Sequence, residues 1–454
     1  MSFPDVTEPA SPYRPEPRAR AVSPSEVDVS GKLVADLGVG PEIWLFLTLL
    51  GGVTLFFKFS RIWSVRNLDL LLLFALAPGM MVLVGTGSHR SWIAYLWLFF
   101  GSTLWLARCL IDLSLTRRPI LEPNLNAAGL ACLSIGVLGL LVAETISLPV
   151  DEGAARNPAD PGERPAPPSA SALGADAAVQ EVLKIAPLPE SLRPNPPQVI
   201  LSRVLASLAH LGLVATLLVV GWRHFERPMA GLAAASCYLL MPYTRIAVVD
   251  SGQLVPAALI IAAVSLYLRP TLAGAMIGLA AGWMPACLGL IPLWAGFYRG
   301  RGATRFAIVG IAVVVSCGWL AVALPDLAIW ARALGARSLA EAGLLPQVEA
   351  PPSGSFWSGI DVNYRLPVLI AYLALVVFTT LWPAEKNLGE LIALSAALLV
   401  ASQFWYLDKG GTLVLLYLPL LLLMMFRPNL ASKRPIPPTS PRTKDARRTL
   451  DPVP

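Results

Sequence analysis

Apolar residues run in long unbroken stretches along this chain, separated by short polar or basic turns. Runs long enough for a helix to cross a bilayer, about 17–25 residues, occur near 41–57, 68–86, 91–114, 125–144, 199–222 and 229–249. Others follow near 253–268, 304–325, 365–382, 388–407 and 411–426. The stretch 271–297 is about 27 residues long and holds Gly278, Gly282, Pro285, Gly289 and Pro292. It fits one kinked helix or two short helices meeting at the far face, since backbone freed by Pro and Gly is tolerated where neighbouring helices or water satisfy it. The pattern predicts an all-α fold, a polytopic transmembrane helical bundle with about 11–12 membrane segments.

Basic residues cluster at the ends of these runs. Lys58, Arg61 and Arg66 precede the second, Arg117 and Arg118 follow the third, and Arg223 and Arg227 follow the fifth. Arg299, Arg301 and Arg305 precede the run at 304–325, and Arg427, Lys433, Arg434, Arg442, Lys444, Arg447 and Arg448 follow the last. All lie on one side of the membrane if 271–297 is a hairpin, whereas a single kinked helix would split them. Cytoplasmic loops carry the Lys/Arg excess, so the hairpin is the expectation. The C-terminus is then cytoplasmic, and the loops 145–198 and 326–364 face the other way. A bacterial cytoplasmic membrane is the expected setting.

Four regions follow from this pattern. Residues 1–40, rich in Pro, Ser and both signs of charge, are predicted to be a disordered tail, and they lack the ordered features of a removable signal peptide. Residues 41–114 form an N-terminal three-helix membrane region. Residues 115–427 form the transmembrane core with its two outer loops, and 428–454 form a basic, disordered cytoplasmic tail.

Composition adds exclusions. Of 454 residues, 55% are hydrophobic and only 14% charged, with a mean hydropathy of +0.63. A soluble protein carries about 25% charged residues, so most side chains here face lipid or each other. The net charge of +6 is spread over helix ends and forms no basic face for nucleic acid. The five cysteines sit within or beside apolar runs without a CxxC, and His89, His210 and His224 are scattered. Metal chemistry based on His and Cys is not expected.

Acidic residues at the outer side are the candidate chemistry, because ionisable groups in or beside a membrane are costly and tend to be functional. Glu144 ends the fourth run, Asp151 and Glu152 follow it, and Asp250 lies in the turn from Tyr243 to Gln253. A pair of such carboxylates could deprotonate an acceptor hydroxyl or hold a divalent cation. The plainer alternative is that Glu144, Asp151 and Glu152 are solvated loop charges and that Arg245 pairs with Asp250 at the membrane edge. Asp69 and Asp112 are expected as interfacial charges near Arg66 and Arg117.

From Arg203 to Phe306 the chain carries an ordered set of signals. Arg203-Val204-Leu205 opens a span, and Arg223-His224-Phe225-Glu226-Arg227 makes a turn. Met241-Pro242-Tyr243 and Asp250-Ser251-Gly252-Gln253 follow. Tyr267-Leu268-Arg269-Pro270, Pro285, Pro292-Leu293-Trp294 and Tyr298-Arg299-Gly300-Arg301 complete the set. In this order and spacing the segment resembles the core of GT-C-type membrane glycosyltransferases, which use polyprenyl-phosphate sugars, and Gly252-Gln253 is similar to their mannosyltransferase-like branch. The resemblance implies sugar transfer from a polyprenyl-phosphate donor at the outer face. It implies catalytic acids at Asp151, Glu152 and Asp250, and donor contacts from Arg203, Arg245 and Gln253. The chain departs from the branch in three ways. Met284 precedes Pro285 where a Lys is usual, 154–172 is a Pro/Ala-rich spacer, and the spans in 41–114 are additional. A non-catalytic membrane scaffold and a transporter are the alternative functions.

Overall fold

The computed structural model describes residues 41–60, 62–85, 91–115, 122–147, 197–339, 356–357, 360, 362–407 and 410–435. The expected N-terminal tail, Asp151 and Glu152 with the rest of the loop 148–196, and residues 436–454 of the basic tail lie outside the described residues. Every regular element among the described residues is helical. Six helices are long and apolar enough to cross a membrane, and seven shorter apolar helices lie among them. The protein is a multi-pass α-helical membrane protein.

The N-terminal region contains α1 (Pro41–Phe56), α2 (Val65–Ala75), α3 (Ala77–Gly85) and α4 (Ser91–Ile111). Next come α5 (Ala127–Ser147), α6 (Pro197–Arg223), α7 (Pro228–Leu240), the short α8 (Pro242–Ile246) and α9 (Ser251–Ser265). Proline stands at the first turn of α7 and α8, where its missing N–H costs nothing.

The stretch 271–297 is two elements. Helix α10 (Pro270–Trp283) stops at Met284, a 3₁₀ turn occupies Pro285–Gly289, and α11 (Leu290–Phe297) runs back. Gly302, just after α11, abuts Pro270 at the start of α10. Met284 meanwhile shares a cleft at the opposite end with Asp250 and Leu413. The hairpin expectation holds: the turns carrying Arg223, Arg269, Arg301 and Lys433 gather at one end, called here the basic end. Tyr298 Oη donates to Tyr267 O at 2.6 Å, Arg301 Nη1 to Pro435 O at 3.2 Å, and Leu388 N to Lys433 O at 2.9 Å.

Helix α12 (Ala303–Ala323) runs alongside α10, and a ridge of small residues brings the backbones together. A Cβ on Gly274 would stand 2.6 Å from Phe306 O, and one on Gly278 would stand 2.6 Å from Gly310 O. Spacing of four on a helix places Gly274, Gly278 and Gly282 on one face, the small-xxx-small device of membrane helix pairs. The rest of α12 faces outward, with only Phe306 and Gly310 buried, as a lipid-facing helix must.

The chain continues through α13 (Pro325–Ala333) to α14 (Arg365–Leu381), α15 (Leu388–Trp405) and α16 (Val414–Phe426). The last two form the centre. All thirteen residues of α16 are buried, as are nearly all of α15. At 1.5 Å per residue α16 rises only about 20 Å, against about 30 Å of hydrocarbon. It is too short to span the hydrocarbon alone, and the irregular backbone at its ends is tolerated where protein surrounds it. A capping box starts α15: Asn387 Oδ1 accepts from Glu390 N, and Glu390 Oε2 from Asn387 N, both at 2.9 Å.

The N-terminal region is part of this core. Gln403 Nε2 of α15 donates to Ser102 Oγ of α4 at 2.6 Å, Tyr243 Oη donates to Leu73 O, and Phe56 meets Phe426 edge-on at 5.6 Å. The outer-loop aromatics pack as well: Phe356 lies 5.5 Å from Trp92 and 4.5 Å from Phe99, between centroids.

Candidate functional site

At the end opposite the basic turns, several segments converge, and they carry most of the polar side chains that the sequence singles out. The C-terminal end of α5 supplies Glu144 and the carbonyl of Ile146. Arg245 of α8 donates through Nε to Glu144 Oε1 at 2.7 Å, and Arg203 of α6 donates through Nη1 to Ile146 O at 2.9 Å. Glu144, Arg203 and Arg245 are all at least nine-tenths buried. The expectation that Glu144 is a solvated charge, and that Arg245 pairs with Asp250, therefore gives way to a buried ion pair between α5 and α8. Burying a carboxylate is costly unless it is paired and hydrogen-bonded, and Arg245 supplies both.

Beside this pair, His210 of α6 is fully enclosed. Its Nδ1 lies 2.8 Å from Tyr238 Oη and its Nε2 3.0 Å from Val248 O. The carbonyl can only accept, so Nε2 carries the proton and Nδ1 accepts from the tyrosine. This fastens the stretch between α8 and α9, where Asp250 sits.

Asp250 precedes the first turn of α9, and Gln253 reaches it from one turn on. Gln253 Nε2 donates to Asp250 Oδ2 at 3.0 Å and also approaches Thr412 O at 3.3 Å, while its Oε1 accepts from Leu415 N at 3.2 Å. Gln253 is thus a buried bridge from the start of α9 to the start of α16, and its amide orients the Asp250 carboxylate. Asp250, Gly252, Gln253, Met284, Gly335, Arg337 and Leu413 line one narrow cleft with room for about a single water molecule.

The sequence-predicted residues therefore fall into two neighbouring groups. Asp250 and Gln253 share the cleft, while Arg203 and Arg245 are turned into helix packing at the end of α5 and do not line it. The two groups are linked through adjacent side chains, with Ser202 Oγ 3.3 Å from Ser251 Oγ. Asp151 and Glu152 lie outside the described residues, four and five positions beyond the end of α5. Among the described residues no group of three or more His, Cys, Asp or Glu gathers in a way that could hold a metal ion.

Two features escape the sequence reading. Arg337 lines the cleft from the segment after α13; it is one of two arginines, with Arg332, in the loop 326–364. The second is at the basic end. Arg108 of α4 forks onto Asp69, with Nε at 2.6 Å from Oδ1 and Nη2 at 2.8 Å from Oδ2, and its Nη1 reaches Asp112 Oδ1 at 3.1 Å. Arg427, just past α16, donates to Asp112 Oδ2. The two acids expected as interfacial charges are buried in a network shared between Arg108 and Arg427, with Arg66 also near Asp69 as expected, while Arg117 lies outside the described residues. The Arg108/Asp112 spacing of four was the network's visible signal.

Nearby, burial pushes the imidazole of His224 below its ordinary pKa, although Ser265 O accepts from its Nε2 at 2.7 Å. At the exposed rim Lys433 pairs with Glu226, which lowers the Glu226 carboxyl and raises the lysine.

Comparison with protein-family models, with curated proteins and with solved structures finds no match to this chain.

Proposed function

We propose that this multi-pass membrane protein is a glycosyltransferase-like enzyme that takes a sugar from a polyprenyl-phosphate donor at the end of the bundle opposite the basic turns. The observation that carries the reading is the Asp250–Gln253 pair in the cleft at the start of α9. The carboxylate is held in place by an amide that is itself fixed to the central helix, as a general base for an acceptor hydroxyl requires. Asp151 and Glu152, four and five positions after α5 in the sequence, are the further acids of this reading. Arg203 and Arg245 fix the end of α5 from which those acids emerge, a positioning role distinct from the donor contact that the resemblance implies. The Lys/Arg bias of the opposite end supports an outward-facing cleft, and the membrane of this reading is a bacterial cytoplasmic one.

A second reading, a non-catalytic scaffold, is favoured by the small size of the cleft. Ligand sites commonly span about 300–1,000 Å³, more than the described residues enclose. A proton-coupled transporter has less support, since the buried acids among the described residues all sit at or near helix ends and provide no mid-span relay.

The test is transfer of radiolabelled mannose or glucose from polyprenyl-phosphate donors in membranes, with and without added divalent cation. Wild type is compared with Asp250→Asn and with Asp151→Asn/Glu152→Gln. Transfer that is lost in a folded, inserted Asp250→Asn variant supports the enzyme, whereas transfer indifferent to both variants removes these acids from the mechanism. No transfer with any donor and acceptor fraction favours the scaffold.

A further inference from the structure

Between Asp250 and Asp326 the chain carries no acidic residue, and its only charges there are Arg269, Arg299, Arg301 and Arg305. All four stand at the basic end, where α10 and α12 begin. The two starts touch, since a Cβ on Gly302 would lie 3.0 Å from the Pro270 ring. Arg301 is engaged with Pro435 O. Arg269, Arg299 and Arg305 are exposed and make no ion pair among the described residues. The exposed acids Glu226 and Glu385 of this end are already taken, by Lys433 and Arg434. Orientation in the membrane needs only a surplus of cations on this side; it does not ask for them at the head of one helix seam.

That seam has a defined outer groove. Gly274 meets Phe306 O, Gly278 meets Gly310 O and Gly282 meets Cys317 Sγ, so α10 and α12 run parallel and in register from the basic end. In such a pair, the position after each contact on the first helix and the position before each contact on the second share one side of the seam. These are Ala275 and Leu279 on α10, and Val309, Ala312 and Ser316 on α12, all exposed or half-buried. On the other side of α10, Ala273, Ile277 and Ala281 are buried in the bundle, so the groove faces lipid. Arg305, one position before the contact residue Phe306, heads the same side. Space above the turn is open, since a Cβ on Gly300 would meet nothing within 4 Å.

We propose that this seam binds an anionic phospholipid of the surrounding bilayer, with its phosphate on Arg305 in the field of Arg269 and Arg299 and one acyl chain in the groove. At 1.5 Å per residue α12 rises about 30 Å, the thickness of the hydrocarbon, so a lipid lying along it brings its headgroup to the arginines. A guanidinium grips phosphate through two parallel hydrogen bonds, and basic sites between membrane helices on the Lys/Arg-rich side suit anionic headgroups. Such a site is independent of sugar transfer at the opposite end.

The experiment is native mass spectrometry of the full chain after equilibration in micelles with equal amounts of phosphatidylglycerol and phosphatidylcholine. Wild type is expected to retain phosphatidylglycerol in preference. Arg305→Gln is expected to lower the ratio of bound phosphatidylglycerol to phosphatidylcholine about fivefold, and Arg269→Gln/Arg299→Gln/Arg305→Gln to remove the preference. Ala312→Trp fills the groove and is expected to lower retention of both lipids. Arg301, Lys433 and Arg434 stay in every variant and keep the bundle's orientation. Arg223→Gln/Arg227→Gln, in the α6–α7 turn of the same end, is the charge control and should keep the wild-type preference. No preference in wild type, or an unchanged one in the folded triple variant, overturns the proposal. An equal loss in the Arg223→Gln/Arg227→Gln control overturns it too, by making the effect one of net charge. A dimer that Ala312→Trp abolishes, with lipid retention unaltered, would assign the groove to a second copy instead.

Discussion

Arg427 donates to Asp112 across 315 residues of sequence, joining the residue that follows the last helix to the residue that follows α4. Both are at least 96% buried, and Arg108 ties the same carboxylate to Asp69. The N-terminal spans and α16 are thus held together by a largely buried charge network.

Removing one partner leaves a buried charge without its counter-ion, which costs about 3–5 kcal/mol. Arg427→Met is expected to lower the thermal midpoint of the detergent-solubilised protein sharply. Combining it with Asp112→Leu removes both charges and should recover much of the loss. An unchanged midpoint in Arg427→Met alone would show that the network does not hold the two ends together.

The Glu144–Arg245 pair predicts a different signature. In a double-mutant cycle of Glu144→Gln and Arg245→Gln, the coupling energy should lie at about 1–3 kcal/mol, because both groups are buried and meet at 2.7 Å. Additive effects in unfolding measurements would mean that the arginine serves something other than this carboxylate.

The glycine ridge between α10 and α12 is tested by Gly278→Val. The new side chain would meet Gly310 O at 2.6 Å and force the helices apart, an overpacking cost of about 1–3 kcal/mol. Gly318→Val, on the same α12 but with open space at its Cβ, should cost far less, and equal losses would argue against close approach as the cause.

His224 gives a pH dependence. Its folded pKa is depressed, mainly by burial, so above about 6.5 the folded and unfolded chains both carry it neutral. As pH falls below that value the unfolded chain takes up the proton first, and stability is lost with falling pH. Thermal midpoints measured from pH 7.5 down to 5 should fall less steeply in His224→Asn than in wild type. Parallel curves would assign the acid sensitivity to other groups.

Most helices were legible in the hydropathy of the chain, because lipid and a buried core both demand apolar side chains and the runs end where charge begins. The hairpin at 271–297 was legible through charge: Arg223 and Arg301 share a side only if the chain turns back near Met284. The pairing of charges was harder to foresee. Arg245 had Asp250 five positions away and took Glu144, 101 residues distant, since α8 turns the guanidinium towards α5. Local spacing could reveal Arg108 with Asp112 and Asp250 with Gln253, each within one turn. It could not reveal which loop supplies the wall that carries Arg337, because that depends on how α13 folds back over α9.

The burial of α16 on every side has a consequence for how the molecule is made. Synthesis runs from the N-terminus, so the helix at the centre leaves the ribosome after the described helices that surround it. The surrounding helices must wait in the bilayer around a gap whose occupant does not yet exist, and Asp112 waits with them for Arg427. The spatial order of this protein, from inside to outside, runs against the order of its birth.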